Sequence, residues 1–289
     1  MQAVFDFDSS VLTRAKIIPV WVWCSLVGNG ILLLTLVMMI LGEQNPTADP
    51  GLSAALTMTE FQLDSTPENQ ELEVPALGPR HRWTYEQWVT QLGREAMAMA
   101  ENRPQRLTIL AGDSLTLWFP NDLLPPDRTW LNQGISGEVS QGLLKRLYLF
   151  DQVQAETIFV MIGINDLIRG TDDQTILENY YKIIQDLRWV HPQAEIVLQS
   201  ILPHSGQEAT WEGRDRLLEI PNQRIRGLNQ QLKAMANSME IYYLDLHPLF
   251  TDRKGNLRQE LTTDGLHLNE QGYLVWRSAL QLFSQMELK

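Results

Sequence analysis

Strand-like apolar runs recur along this 289-residue chain from Leu107 onward, with helical patterns between them. The runs are Leu107–Ala111, Trp130–Gln133, Thr157–Gly163, Glu195–Ile201 and Ile241–Leu246, and the stretches near Val139–Gln152, Gln174–Trp189 and Pro221–Ser238 carry apolar residues at helical spacing. An amphipathic helix around Thr84–Glu101 precedes the first run. A last helix near Asn269–Met286, capped by Asn269, follows the final one. This βαβ alternation predicts an α/β domain whose parallel sheet is covered by helices on both faces. No internal repeat or low-complexity tract interrupts it.

The first run empties into Gly112-Asp113-Ser114-Leu115, and far downstream stands Asp264-Gly265-Leu266-His267. A serine hydroxyl is a poor nucleophile at its free pKa. It needs a neutral imidazole to take its proton and a carboxylate to fix the imidazole tautomer, and these two segments hold all three groups. Either segment alone is weak, since an Asp-x-x-His pair arises readily by chance and Gly-Asp-Ser-Leu can be a plain turn. Two further segments lie between them in order: Asn132-Gln133-Gly134-Ile135-Ser136-Gly137, then Gly163-Ile164-Asn165-Asp166 closing a second strand-like run. The α/β-hydrolase arrangement of the same groups shows Gly-x-Ser-x-Gly at its elbow. Here Thr116 occupies the fifth position, and acid and base are three residues apart.

These four blocks resemble those of the SGNH (GDSL) hydrolases, over roughly Arg106 to the C-terminus. The resemblance implies a flavodoxin-like, three-layer α/β/α sandwich around a five-stranded parallel sheet, and ester-hydrolase chemistry. Block by block it implies Ser114 as nucleophile, His267 as general base, Asp264 as its orienting carboxylate, and Gly137 and Asn165 as oxyanion-hole donors. Gly137 rather than Gly134 matches the family glycine because it follows Asn-x-x-Ile-Ser. A tetrahedral intermediate places charge on the former carbonyl oxygen, where each aimed donor lowers the barrier by about 3–4 kcal/mol. The Ser114 N–H would lie at the start of a helix, where unpaired amides favour an anion. Gly137 lets backbone approach closely, and the Asn165 amide follows a parallel strand, where sites of open α/β sheets gather. Asp113 and Asp166 flank these positions; hydrogen bonds that fix the loops are preferred for them over a carboxylate pair doing acid–base work.

A formal net charge of −12 excludes nucleic acid as a natural partner, because phosphates demand a basic footprint. Cys24 is the only cysteine, so no intrachain disulfide can form, and its apolar surroundings argue against a reactive role. No cluster of histidines and acids has metal-ligand spacing. Neither metal nor cofactor is expected.

The apolar surroundings of Cys24 are themselves informative. No charged side chain occurs from Ile17 to Gly42, and a helix over Pro19–Leu41 would extend roughly 35 Å, enough to cross a hydrocarbon core of about 30 Å. A cleaved signal peptide would have a shorter apolar core, about 7–15 residues, and a small-residue cleavage site; Leu41-Gly42-Glu43-Gln44 offers no good one. A single-pass anchor over 17–42 is therefore expected after a short cytoplasmic segment, 1–16. Arg14 and Lys16 precede it and no Lys or Arg follows until Arg80, which puts the N-terminus in the cytoplasm and the domain 81–289 outside. The intervening residues 43–80 hold Pro46, Pro50, Pro67, Pro75 and Pro79 and seven acidic residues against one basic, the composition of a flexible, self-repelling linker.

Other conspicuous residues have plainer roles. His191 and His247 precede prolines and His204 follows one, pointing to turn or surface positions, and His81 lies at the linker's end. Pro203–Ile220, with Trp211, Arg214 and Arg216, is a long connection that either borders a substrate pocket or is a simple insertion. Trp118 and Phe119 either line an apolar acyl slot or pack in the core, with the core preferred. Three functions fit these features: a membrane-tethered, extracytoplasmic hydrolase of acetylated glycans, lysophospholipids or other lipid esters; an acyltransferase acting on a cell-envelope sugar; and a catalytically inactive binding module, against which the intact blocks argue.

Overall fold

A computed structural model describes residues 83–288. The expected N-terminal segment 1–16, anchor 17–42 and linker 43–80 lie outside the described residues. No described helix is long and apolar enough to cross a membrane.

The strands are β1 (Leu107–Gly112), β2 (Thr129–Gly134), β3 (Thr157–Met161), β4 (Glu195–Gln199) and β5 (Tyr242–Leu244). They form one five-stranded sheet in the order β2-β1-β3-β4-β5, and every pairing is parallel. Parallel neighbours need crossovers; after α1 (Tyr85–Asn102), which precedes β1, they carry α2 (Ser114–Leu117), α3 (Ser140–Lys145), α4 (Ile164–Ile168), α5 (Asp173–Val190), α6 (Arg214–Leu218) and α7 (Asn222–Ser238), and α8 (His247–Phe250) and α9 (Glu270–Met286) follow β5. The period of two along each strand divides the core. Ile109, Ile158, Val160, Ile196 and Leu198 join Leu143, Ile183 and Leu228 on one face. Leu110, Phe159, Met161 and Val197 meet Tyr273, Trp276 and Leu280 of α9 on the other.

Local chemistry sets the helix starts. Thr84 and Gln87 form a reciprocal capping box at α1, and Asn269 accepts from the Gly272 amide at α9. Two sequence expectations shift. The helix expected over Val139–Gln152 is α3 followed by a 3-10 turn, Leu147–Phe150, with the break at Arg146 (φ −117, ψ 10). The third and fourth strands end earlier than their apolar runs because side chains replace the ladder. The Tyr180 hydroxyl donates to Ile162 O at 2.6 Å and accepts from Ile162 N at 3.0 Å, and the Asn229 amide does the same for Ile201 at 2.8 Å each way.

Histidines expected at turns or the surface are buried. His191, His204 and His247 are each under a tenth exposed, and burial pulls all three below the usual imidazole range. His204 does serve a turn: its Nδ1 accepts from Gly206 N at 3.0 Å while Nε2 meets Ile220 O at 2.6 Å.

Because Tyr180 satisfies both polar groups of a buried residue, Tyr180→Phe should leave two backbone groups unpaired at the end of β3. Urea unfolding should show a loss of about 1–3 kcal/mol, and an unchanged midpoint would mean that these bonds are replaced without cost.

Candidate active site

The chain leaves β1 for β2 on one side and returns to β3 on the other. The loops after β1 and β3 therefore diverge at the carboxyl edge of the sheet, the place where doubly wound sheets form a crevice. Ser114 follows β1 and Asn165 follows β3.

Ser114 is the first residue of α2, and Asp113 caps that short helix by accepting from Leu115 N at 3.0 Å. The Ser114 Oγ lies 3.3 Å from His267 Nε2. Asp264 Oδ2 accepts from His267 Nδ1 at 2.8 Å. With the ring proton drawn to Nδ1, Nε2 is left as the acceptor facing the serine. Asp264 Oδ1 accepts from the amides of Leu266 and His267 at 2.9 and 2.8 Å. Burial pushes this carboxyl up, but the bonds from the His267 ring and from those two amides outweigh it and hold it below the usual range. Asp264 is thus a carboxylate at neutral pH.

The Asp264–His267 loop is braced from outside. The Asp264 carbonyl accepts from Thr210 N at 2.8 Å and Trp211 N at 2.9 Å, and Ser205 N donates to Gly265 O at 2.8 Å. Gly265 sits at φ +90, and a Cβ there would come 2.5 Å from Ala209 Cα, so the turn requires glycine. The long connection Pro203–Ile220 is therefore a support for the acid and base. It contains a 3-10 turn, Gly206–Glu208, and α6.

Gly137 adopts φ +73, and Arg169, at the end of α4, donates from Nη2 to its carbonyl at 2.6 Å. The Asn165 Nδ2 is buried and has no acceptor within the described residues. A buried donor without a partner is costly and uncommon, and such a donor suits an oxygen that gains charge during reaction. Asp166 accepts from Ser140 N at 2.8 Å and Ser140 Oγ at 2.5 Å, which ties α4 to α3. Burial raises its pKa against these bonds. Asp113 and Asp166 thus each hold a neighbouring segment through hydrogen bonds.

Sequence reasoning missed several supports. Asn132 donates to Thr116 O at 2.7 Å and accepts from Gly134 N at 2.9 Å, joining β2 to the nucleophile helix. Asn132 opens the second block, but nothing in its spacing marked this bridging role. Arg169 lay just past the third block without any spacing to mark it. Phe119 is packed against Tyr273 and Trp276, with ring centroids 5.0 Å from each, so it belongs to the core rather than an acyl slot; Trp118 packs partly buried against the same cluster. Among the described residues no group of three or more His, Cys, Asp or Glu could hold a metal ion.

The family model for GDSL-like lipases and acylhydrolases matches residues 110–275. A solved structure of a candidate platelet activating factor from Streptococcus pneumonia is 27% identical, with a TM-score of 0.59 over 68% of this chain and 95% of that one. A GDSL-like lipase from Bacteroides thetaiotaomicron, 18% identical, shares the fold at a TM-score of 0.58 over 68% of this chain and 97% of that one. The N-acylneuraminate cytidylyltransferase of Streptococcus agalactiae serotype V is 27% identical over 175 residues, 61% of this chain. The match spans only 38% of that relative's length.

Asp113 yields a pH prediction. Burial raises its carboxyl to about 7, against the Leu115 amide and the nearby His267. A raised native pKa contributes stability that is complete below the ordinary carboxylate range and is lost as pH rises through the native value. Asp113→Asn keeps an acceptor for Leu115 without the charge. Its melting temperature relative to wild type should therefore climb between about pH 4 and about pH 8, as read by calorimetry, and a constant difference over that range would contradict the assignment.

Proposed function

The chain belongs to the GDSL-like lipase/acylhydrolase family, and on that footing we propose that it is a membrane-tethered, extracytoplasmic hydrolase of carboxylic esters, acting through an acyl-enzyme on Ser114. The observation that carries this reading is the continuous chain from Ser114 Oγ through the His267 ring to Asp264. In the first step Oγ bonds to the ester carbonyl carbon and its proton passes to His267 Nε2. The tetrahedral intermediate's oxygen is met by the amides of Ser114 and Gly137 and the side chain of Asn165. Collapse breaks the bond to the alcohol oxygen, which takes the proton from His267. Water, deprotonated by the same nitrogen, then releases the acid. The Ser114–His267 contact of 3.3 Å is of the loose kind that tightens once substrate is bound.

A short acyl group on a polar, glycan-type alcohol is the preferred substrate. Phe119 is committed to the core, and polar groups, the exposed Ser136 and Arg169, adjoin Gly137. Lipid esters and transfer to a sugar hydroxyl in place of water are the competing outcomes.

The full-length protein in detergent should hydrolyse p-nitrophenyl acetate faster than its long-chain homologues. Ser114→Ala and His267→Ala should each lose about a thousandfold or more in kcat, with the double variant little worse than either. Unchanged turnover in Ser114→Ala would refute the assignment, and a preference for long chains would shift the substrate to lipid. Product analysis with an added glycan acceptor separates transfer from hydrolysis.

The orientation rests on Arg14 and Lys16 before the apolar run. Protease added to intact cells or spheroplasts should remove the domain, whereas protection would reverse it.

A further inference from the structure

Arg146 is 1% exposed. Its Nε donates to Glu138 Oε2 at 2.8 Å. Its Nη2 donates to two backbone carbonyls on adjacent strands, Gly112 O at 3.2 Å and Gln133 O at 2.9 Å. Gly112 leads directly into Asp113 and Ser114. Gln133 leads into Gly134–Gly137, and Glu138 follows Gly137 at once. One planar group is therefore bonded to the chain immediately before the nucleophile and on both sides of the oxyanion segment. The Glu138 Oε1 completes the arrangement by accepting from Val139 N at 3.2 Å.

This ion pair is poorly explained as a stabiliser. Removing a guanidinium and a carboxylate from water is expensive, and apolar side chains of similar volume often serve stability as well or better. What an apolar pair cannot supply is direction. The fork of a guanidinium fixes several acceptors in one plane, and a lysine ammonium, being a point charge, does not. Hydrolysis of an ester needs that kind of fixing, because oxyanion donors act only when held close to the position of the developing charge.

We propose that Arg146 is a positioning residue for the reaction. Its guanidinium sets the spacing between the Gly112–Ser114 turn and the Gly134–Glu138 segment, and Glu138 holds the guanidinium in that orientation. Arg169 bonds the Gly137 carbonyl from the exposed side, so the segment is gripped from within and without. This inference rests on the esterase reading above, and it concerns transition-state geometry rather than substrate binding.

The test uses the full-length protein with Arg146→Lys and with the apolar replacement Arg146→Met plus Glu138→Leu. The readouts are the rate at which a fluorophosphonate probe labels Ser114, and kcat and KM for p-nitrophenyl acetate, all per folded molecule as judged by near-UV circular dichroism. The apolar replacement should stay folded yet lose about 30-fold or more in both labelling rate and kcat, with KM changed less than about threefold. Arg146→Lys should fall between it and wild type. A purely structural role would leave the rates per folded molecule intact. Labelling and turnover within about threefold of wild type in a folded replacement would overturn the proposal, and if the apolar pair does not fold, Arg146→Lys decides by the same measure. Should wild type label but hydrolyse no ester, the esterase reading fails while the labelling rates still judge Arg146; a wild type that does not label defeats both.

Discussion

β1 is paired along both edges and buried on both faces, and the rest of the site depends on that confinement. A strand so enclosed cannot slip by one residue without turning its apolar side chains to the wrong layer. The residue that leaves it is therefore delivered to a fixed point. Asp113 is that residue and Ser114 comes next, and the glycine before the turn admits no side chain: a Cβ on Gly112 would lie 2.3 Å from Thr116 Oγ1 and 2.4 Å from Met161 O. The nucleophile emerges from an enclosed strand, while the imidazole comes from a loop held by hydrogen bonds.

The electrostatics of this edge follow from burial. Two carboxyls, Asp113 and Asp166, lie near where negative charge would grow, and burial raises both pKa values. A neutral Asp113 is a better neighbour for an oxyanion than a carboxylate would be. Asp264, stabilised as a carboxylate by three hydrogen bonds, is suited to balance an imidazolium instead. The surroundings of three acids in one small region thus raise the pKa of two and lower that of the third.

The parts of this arrangement that sequence could reveal are those governed by local spacing. The strand cores, the caps Thr84 and Asn269, and the positions of Ser114, Asp264 and His267 all follow from short-range patterns, and the structure brings the last three together. Features set by partners distant in sequence were hidden. Nothing around Ile162 or Ile201 tells that Tyr180 and Asn229 will take over their backbone bonds. The periodicity of Val139–Gln152 is helical throughout, yet the helix breaks at Arg146, whose guanidinium is bonded to Gly112 and Gln133. Burial of His191, His204 and His247 likewise depends on elements packed around them, which proline neighbours do not report.

One property of the Asp264–His267 loop reaches beyond the resting geometry. Acid and base share a single short turn, and that turn is bonded to residues 205–211. Any shift of the supporting segment would carry imidazole and carboxylate together, altering their gap to Ser114 while leaving the hydrogen bond between them in place. The pair behaves as a cartridge: sequence drift in the neighbouring segment can retune its reach toward Ser114 without separating acid from base.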